Sequence, residues 1–272
     1  CIRDRNKATI AGIVTVVASL IVPETALGFK LPGKKDPKPP VDYTEWISIQ
    51  ELPAQEDGVT LFYPSTEPTD GAAVIKGTIP VKGLDARKVM LATLLYAVNN
   101  FDTEADEGLL SVDYDKNEFS AMLKSTQGTN NKEATYTRYL TVKAKDGGFD
   151  FATTDVAVRY REKGLIPRTL PLASLHPESN TRHGELVMEL TWVNSKYLND
   201  MAAYAVSRPD IAAPNLAAVK NGKVTVGMLP DEVNILLGPP LEIRKSGEKR
   251  RWIYGNETTV IFENGKVSRV IE

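Results

Sequence analysis

Cysteine and histidine are almost missing from this sequence. The 272 residues hold one Cys and two His. That excludes an internal disulfide framework and leaves too few soft ligands for a His- or Cys-based metal site. An excess of either charge is missing too: 33 Lys and Arg stand against 35 Asp and Glu, for a net charge of -2. A balance of this kind carries no global attraction to nucleic acid or to an anionic membrane, so no nucleic-acid partner is expected. P-loop, GxSxG and HExxH patterns do not occur. His176 and His183 lie in a prolyl loop region with no Cys, His or clustered carboxylate at ligand spacing. The acidic run Asp102–Glu107 lacks the glycine and spaced oxygens of a calcium loop. The expectation is a non-enzyme with no catalytic, cofactor-binding or metal residues and no cofactor.

What is present is the composition of a globular protein, 42% apolar and 25% charged, on a chain long enough for one to two domains. Arg3, Arg5 and Lys7 precede an uncharged apolar run, Ala8–Val22, which Pro23 and small residues follow up to Gly28. A basic start, an apolar stretch and small residues at the third and first places before Phe29 form a secretory signal. The run is shorter than the roughly 20 residues that span a bilayer. Residues 1–28 are therefore expected to be cleaved as a signal peptide, with retention as a tilted anchor the alternative. Cys1 is either outside the mature chain or the lipid-bearing residue of a lipoprotein. Residues 29–42, rich in Pro and Lys, read as an extended solvated tether. The localisation implied is exported: periplasmic, outer-membrane associated or secreted.

An α+β domain is expected over 43–207. Trp46-Ile47-Ile49 and Val59-Leu61-Tyr63 suggest short strands or an N-terminal arm packing on the body of this domain. Ala73–Val81 has strand character. Asp85 can cap a helix to about Asn100, with Leu91, Leu94, Leu95, Val98 and Phe101 on one face. Period-2 alternation then recurs through Leu110–Tyr114, Phe119–Leu123, Ala134–Val142 and Phe149–Tyr160, with turns at Asp115-Lys116-Asn117 and Lys145–Gly148. Arg138 interrupts the apolar face of the third of these strands. A loop is expected over Lys163–Ser179, and then a helix carrying Leu186, Leu190, Val193, Tyr197, Met201 and Tyr204 on one face and ending near Ser207 before Pro209. Alternation of Leu186, Met188, Leu190 and Trp192 leaves a strand as the competing reading. An antiparallel meander buries one face and needs helices to cover it. The order β-α-β4-α, the secretory start and segments such as TYTRYLTVKAKDG make 72–207 resemble the TATA-box-binding-protein-like (TBP-like) domain of unknown function of secreted Bacteroidetes proteins.

Residues 208–222 are Ala-, Pro- and Asn-rich and read as a linker to a small module over 223–272. Pro230 at the first helical position, Asp231 and Glu232 in the first turn, and Gly238-Pro239-Pro240 after Leu237 punctuate a short helix. Val233, Leu236 and Leu237 are its expected buried face. Strands Leu241–Lys245, Arg250–Tyr254 and Thr259–Glu263 follow, with a fourth short piece over Lys266–Ile271; Asn264-Gly265 is the strongest hairpin signal in the chain. The pattern of Gly227, Met228, Glu232, Val233, Leu236, Leu237, Gly238 and Pro240, then Trp252, Tyr254, Gly255, Phe262, Gly265, Lys266 and Val267, resembles the SmpA/OmlA (BamE-like) family. Leu229 departs from it, because the family often carries Thr or Ser there as the helix cap. The resemblance implies an envelope protein partner and a role in outer-membrane organisation or assembly. Modules of this shape also resemble the repeats of a β-lactamase inhibitory protein, which makes a secreted inhibitor or ligand-binding protein the alternative.

Arg244, Lys245, Lys249, Arg250, Arg251 and Trp252 cluster on one hairpin and are the candidate partner-binding residues, either for an acidic protein strip or for peripheral contact with anionic lipid. The competing reading is a solvated hairpin tip, with Glu242 and Glu248 as partial counter-charges and Trp252 in the core. Arg159, Arg161, Lys163 and Arg168 around Gly164–Pro167 form a second cationic loop, whose Leu165 and Ile166 either dock a partner or tuck under the sheet.

Overall fold

The computed structural model describes residues 59–66, 72–102, 107–128, 132–161, 166–178, 180–255 and 257–272. The expected export segment and tether, residues 1–42, and the Trp46 patch lie outside them. All the described residues belong to one unit, Pro40–Glu272.

The fold is α+β, built on two antiparallel sheets. Its elements run β1 (Ser65–Thr66), β2 (Ala73–Pro80), α1 (Ala86–Asn99), β3 (Gly108–Asp113), β4 (Glu118–Gln127), β5 (Ala134–Lys145), β6 (Gly148–Tyr160) and β7 (Arg168–Pro171). They continue with α2 (Thr181–Val206), α3 (Leu216–Lys220), α4 (Pro230–Leu237), β8 (Glu242–Ser246), β9 (Lys249–Ile253), β10 (Thr259–Glu263) and β11 (Lys266–Ile271). The first sheet is ordered β1-β2-β6-β5-β4-β3, with β7 also paired to β6; the second is ordered β11-β10-β9-β8.

Local chemistry explains most boundaries. The Asp85 carboxylate accepts from the Lys88 N–H at 2.8 Å and caps α1. Asp113 Oδ1 accepts from the N–H groups of Asp115 and Lys116 at 3.0 Å each, which closes the β3–β4 turn. Asn264 and Gly265 take φ of 51° and 75°, the doubly positive pair of a type I′ turn, and join β10 to β11. Alternation in β5 puts Ala134, Tyr136, Arg138, Leu140, Val142 and Ala144 on the buried face. Helices α1 and α2 pack on each other and over this layer. The segment around Phe62 runs along α2: Thr60 exchanges two hydrogen bonds with Asn199, and Phe62 N–H donates to Ser195 Oγ at 2.8 Å.

The structure departs from the sequence reading in several places. Arg168–Pro171 is a strand on β6 and Leu172–Ser174 a 3₁₀ turn, inside the stretch expected to be loop. Leu186–Trp192, by contrast, is helical as the preferred reading expects, and α2 begins at Thr181, where Asn180 Oδ1 accepts from the Arg182 N–H at 2.9 Å. A cap followed by helix overrides the local alternation once the residues on both sides share the 3.6 period. In α4 the inward residues are Glu232, Val233 and Ile235, while Leu237 is exposed; the helix is covered by α1 and α3, so a second face turns inward. The fourth piece of the small sheet is a full strand, paired along β10 from Glu263 to Thr259.

Residues 208–222 are ordered and packed. Val219 and Ile211 are buried in the same hydrophobic cluster as Val233, Trp252 and the residues of α1. Glu232, 0% exposed, accepts from the N–H of Asn215 at 2.6 Å, from Asn215 Nδ2 at 2.9 Å and from the N–H of Leu229 at 2.8 Å. Leu229 offers no side-chain oxygen, so only the returning half of a capping box forms. Arg208 closes the same region through an ion pair with Asp231.

Candidate functional site

The hairpin formed by β8 and β9 holds the residues singled out in the sequence. All five residues of β8 are exposed, as are Lys249, Arg250 and Arg251 of β9. Register places Arg244 directly opposite Arg251 and Lys245 directly opposite Arg250. Like charges at facing positions of an antiparallel pair repel. Two carboxylates take up part of this charge, Glu242 on Arg244 at 2.7 Å and Glu263 on Lys249 at 2.9 Å. Hydrogen bonding to Arg244 holds the Glu242 carboxyl below its ordinary range. Lys245, Arg250 and Arg251 have no ion-pair partner among the described residues.

Trp252 sits beneath this surface. It is 6% exposed and packs on Phe262 at 4.6 Å between ring centroids, with its indole N–H buried and unpartnered. Strand alternation sends it inward while Arg251 goes outward, so the six candidate residues divide into an exterior cationic set and one core anchor. Beside the cations, Leu241 and Ile243 are 78% and 50% exposed. The outer side of β8 has no strand partner among the described residues, which leaves backbone donors and acceptors open along an edge.

The second cationic loop is described only in part. Arg159, Arg161 and Arg168 are exposed, and Ile166 is 84% exposed, so Ile166 does not tuck under the sheet; Lys163 and Leu165 lie outside the described residues. The histidines are engaged in structure: His183 Nδ1 accepts from the His176 N–H at 3.0 Å, and His183 Nε2 lies 2.8 Å from Tyr160 Oη.

A cavity of about 380 Å³ lies between α2, the end of α1 and strands β4 and β5. Tyr96, Trp192 and Tyr197 supply aromatic walls, and Arg138 forms part of the lining. Arg138 is 2% exposed. Its Nη1 donates to Ser125 Oγ at 2.8 Å, while its buried Nε–H has no acceptor. Desolvation lowers the guanidinium to about 10, partly offset by Tyr197 and Glu107, and it remains charged at neutral pH. Glu107 accepts from the backbone N–H groups of Asp102 and Lys124 and makes no ion pair with Arg138. The Tyr197 hydroxyl is buried and unpartnered, and burial pushes its ionisation well above the ordinary tyrosine range. Tyr96 meets the Tyr197 ring edge-on at 5.3 Å.

The geometry around Arg138 has a backbone cause. Between the pairs Thr137↔Ala157 and Tyr139↔Thr154 the register shifts, so Asp155 and Val156 together face Arg138. Asp155 takes a φ of 48° at this bulge. A bulge bends its strand and re-aims neighbouring side chains. The sequence signal available for this cavity was the single cation in an apolar stripe; nothing marked Tyr96, Trp192 or Tyr197 as its walls.

No family model and no curated protein matches the chain. Solved structures similar to it include a TBP-like protein from Parabacteroides distasonis, at 9% identity and a TM-score of 0.45, over 52% of this chain and 96% of that one. A DUF4468 family protein from Bacteroides ovatus is similar at 13% identity and a TM-score of 0.35, over 54% of this chain and 91% of the other.

Proposed function

We propose that this chain is a non-catalytic exported envelope protein that docks an acidic protein partner on the β8–β9 hairpin of its C-terminal module. The observation that carries the reading is the set of cations facing one another across two exposed strands. Self-repulsion at facing positions is relieved when an anionic strip lies alongside. The open edge of β8 can add a strand, and Leu241 and Ile243 supply apolar contact beside the charge. The module keeps the SmpA/OmlA-like pattern, and outer-membrane organisation or assembly is the role in keeping with it and with the secretory start of the sequence. The larger layer is taken as a TBP-like β-α-β4-α unit to which β1 and β7 are additions.

The test is capture from an envelope fraction with the wild-type chain and with a Lys245→Glu, Arg250→Glu, Arg251→Glu variant. Trp252 is left intact because it is part of the core. A partner held by the wild type, released by salt and lost from the folded variant is the expected result. Identical capture by both proteins would remove the hairpin from the function. Binding of the wild type to phosphatidylglycerol vesicles, with no protein retained, would replace the protein partner by a lipid surface.

A further inference from the structure

We infer that the cavity beside Arg138 is a binding site for a small organic carboxylate, separate from the hairpin and independent of its role. A buried cation is ordinarily paired, because leaving water costs several kcal/mol that only a close counter-charge offsets. Arg138 has one neutral partner, Ser125. The acid that influences it, Glu107, is tied to the backbone N–H groups of Asp102 and Lys124. The cavity therefore joins a guanidinium with an unused Nε–H to a hydroxyl, that of Tyr197, also unused. Both side chains line the cavity, and the guanidinium fork matches the two oxygens of a carboxylate.

The walls define the rest of the ligand. Tyr96, Trp192 and Tyr197 offer flat apolar surface, suited to an aromatic or compact aliphatic body. About 380 Å³ is at the lower end of the range for ligand pockets, which limits the occupant to a small molecule. Lys124 and Lys196 stand on the lining with Asp102, Glu107 and Asp200. With Arg138 the lining carries three cations and three carboxylates; Lys196 is paired with Asp200 at 3.2 Å, and of the other two cations Arg138 is the one withdrawn from water, at 2% exposure. The bulge at Asp155–Val156 faces this one arginine and accounts for a charged side chain holding a core position on β5.

The experiment uses the full chain, with benzoate as the carboxylate probe and benzamide as its uncharged counterpart. Binding is followed by titration calorimetry and by chemical shifts of the Trp192 indole. Benzoate is expected to bind about tenfold or more tightly than benzamide, the effect of one charge-assisted hydrogen-bonded pair. Tyr197→Phe should weaken benzoate severalfold and leave benzamide unchanged. Arg138→Leu should abolish the preference while leaving the unfolding midpoint equal or higher, since an apolar replacement removes a buried charge. Equal affinity for the two probes, or no binding of either, would overturn the site. Tyr197→Phe binding benzoate as the wild type does would also overturn it, and that variant keeps the ring and so tests the site even if Arg138→Leu fails to fold.

Discussion

Arg138 and the β8–β9 hairpin both carry cations without carboxylate partners, and they differ in what surrounds them. The hairpin has several such charges in water. There two unit charges about 4 Å apart interact by only about 1 kcal/mol, and salt reduces this further. Arg138 is single, but it has lost its hydration, and a lone buried ion costs several kcal/mol. The crowd on the surface is therefore cheap to keep and sensitive to salt. The solitary charge in the core is costly and insensitive to salt. Retaining each has a different meaning: the first suits steering and registering a large anionic partner, the second suits closing on one small anion.

The sharpest way to break this comparison is at the residue that belongs to the wrong side of it. Trp252 shares a strand with the surface cations but contributes to the core with Phe262. Trp252→Ala should cost about 3–5 kcal/mol in urea unfolding, the range for removing a buried aromatic. A change near zero would mean that Trp252 is a surface contact after all. Next in size is Glu232, a buried carboxylate that, unlike Arg138, has every neighbour in place. Glu232→Ala leaves the part-buried N–H groups of Leu229 and Asn215 without their acceptor, and about 2–3 kcal/mol of stability should be lost. Retained stability there would show that water replaces the carboxylate and that α4 is not anchored through the 208–222 stretch.

How far these differences can be read from sequence depends on whether the determinant is local. Asp85, Asn264-Gly265 and the alternation of β5 act within a few residues, and each was legible. Arg138 was visible as an interruption, but its meaning required α2 to lie over it, so that Arg138 and Tyr197, about 60 positions apart in the chain, line one cavity. The bulge at Asp155 left no trace, because Asp tolerates a positive φ without demanding one. Strand β7 was hidden in a prolyl loop: Arg168–Pro171 has no apolar alternation of its own and forms because β6 continues past β2 and offers an edge. The role of Glu232 depends on Asn215, which the composition of its surroundings placed in a linker. The charged residues of the hairpin group together in the sequence, and their facing register comes only with the strand pairing.

An alkaline titration sharpens the buried side. Burial, and then Asp200, raises the Tyr96 hydroxyl to about 12. A tyrosine whose folded value exceeds its unfolded one contributes stability that is complete below about pH 10 and is lost as pH rises through about 12. Tyr96→Phe should therefore lose less stability than the wild type across that interval. Discounted for its partial exposure, the difference is about 1 kcal/mol. Parallel pH curves for the two proteins would place Tyr96 in water and open the cavity wall.

The smallest effect belongs to the hairpin itself. Lys245 faces Arg250 on the exposed strands, so Lys245→Glu converts a repelling pair into an attracting one. The melting temperature should rise by about 1 °C at low ionic strength. In about 1 M salt, where the screening length is near 3 Å, the gain should vanish. Partner capture should move in the opposite direction, falling as stability rises. That opposition separates a surface kept for recognition from one that is merely solvated: a solvated tip would gain the degree and lose nothing. If stability falls on this change, Lys245 is holding the strand pair together by a contact other than charge, and the repulsion argued for the hairpin is absent.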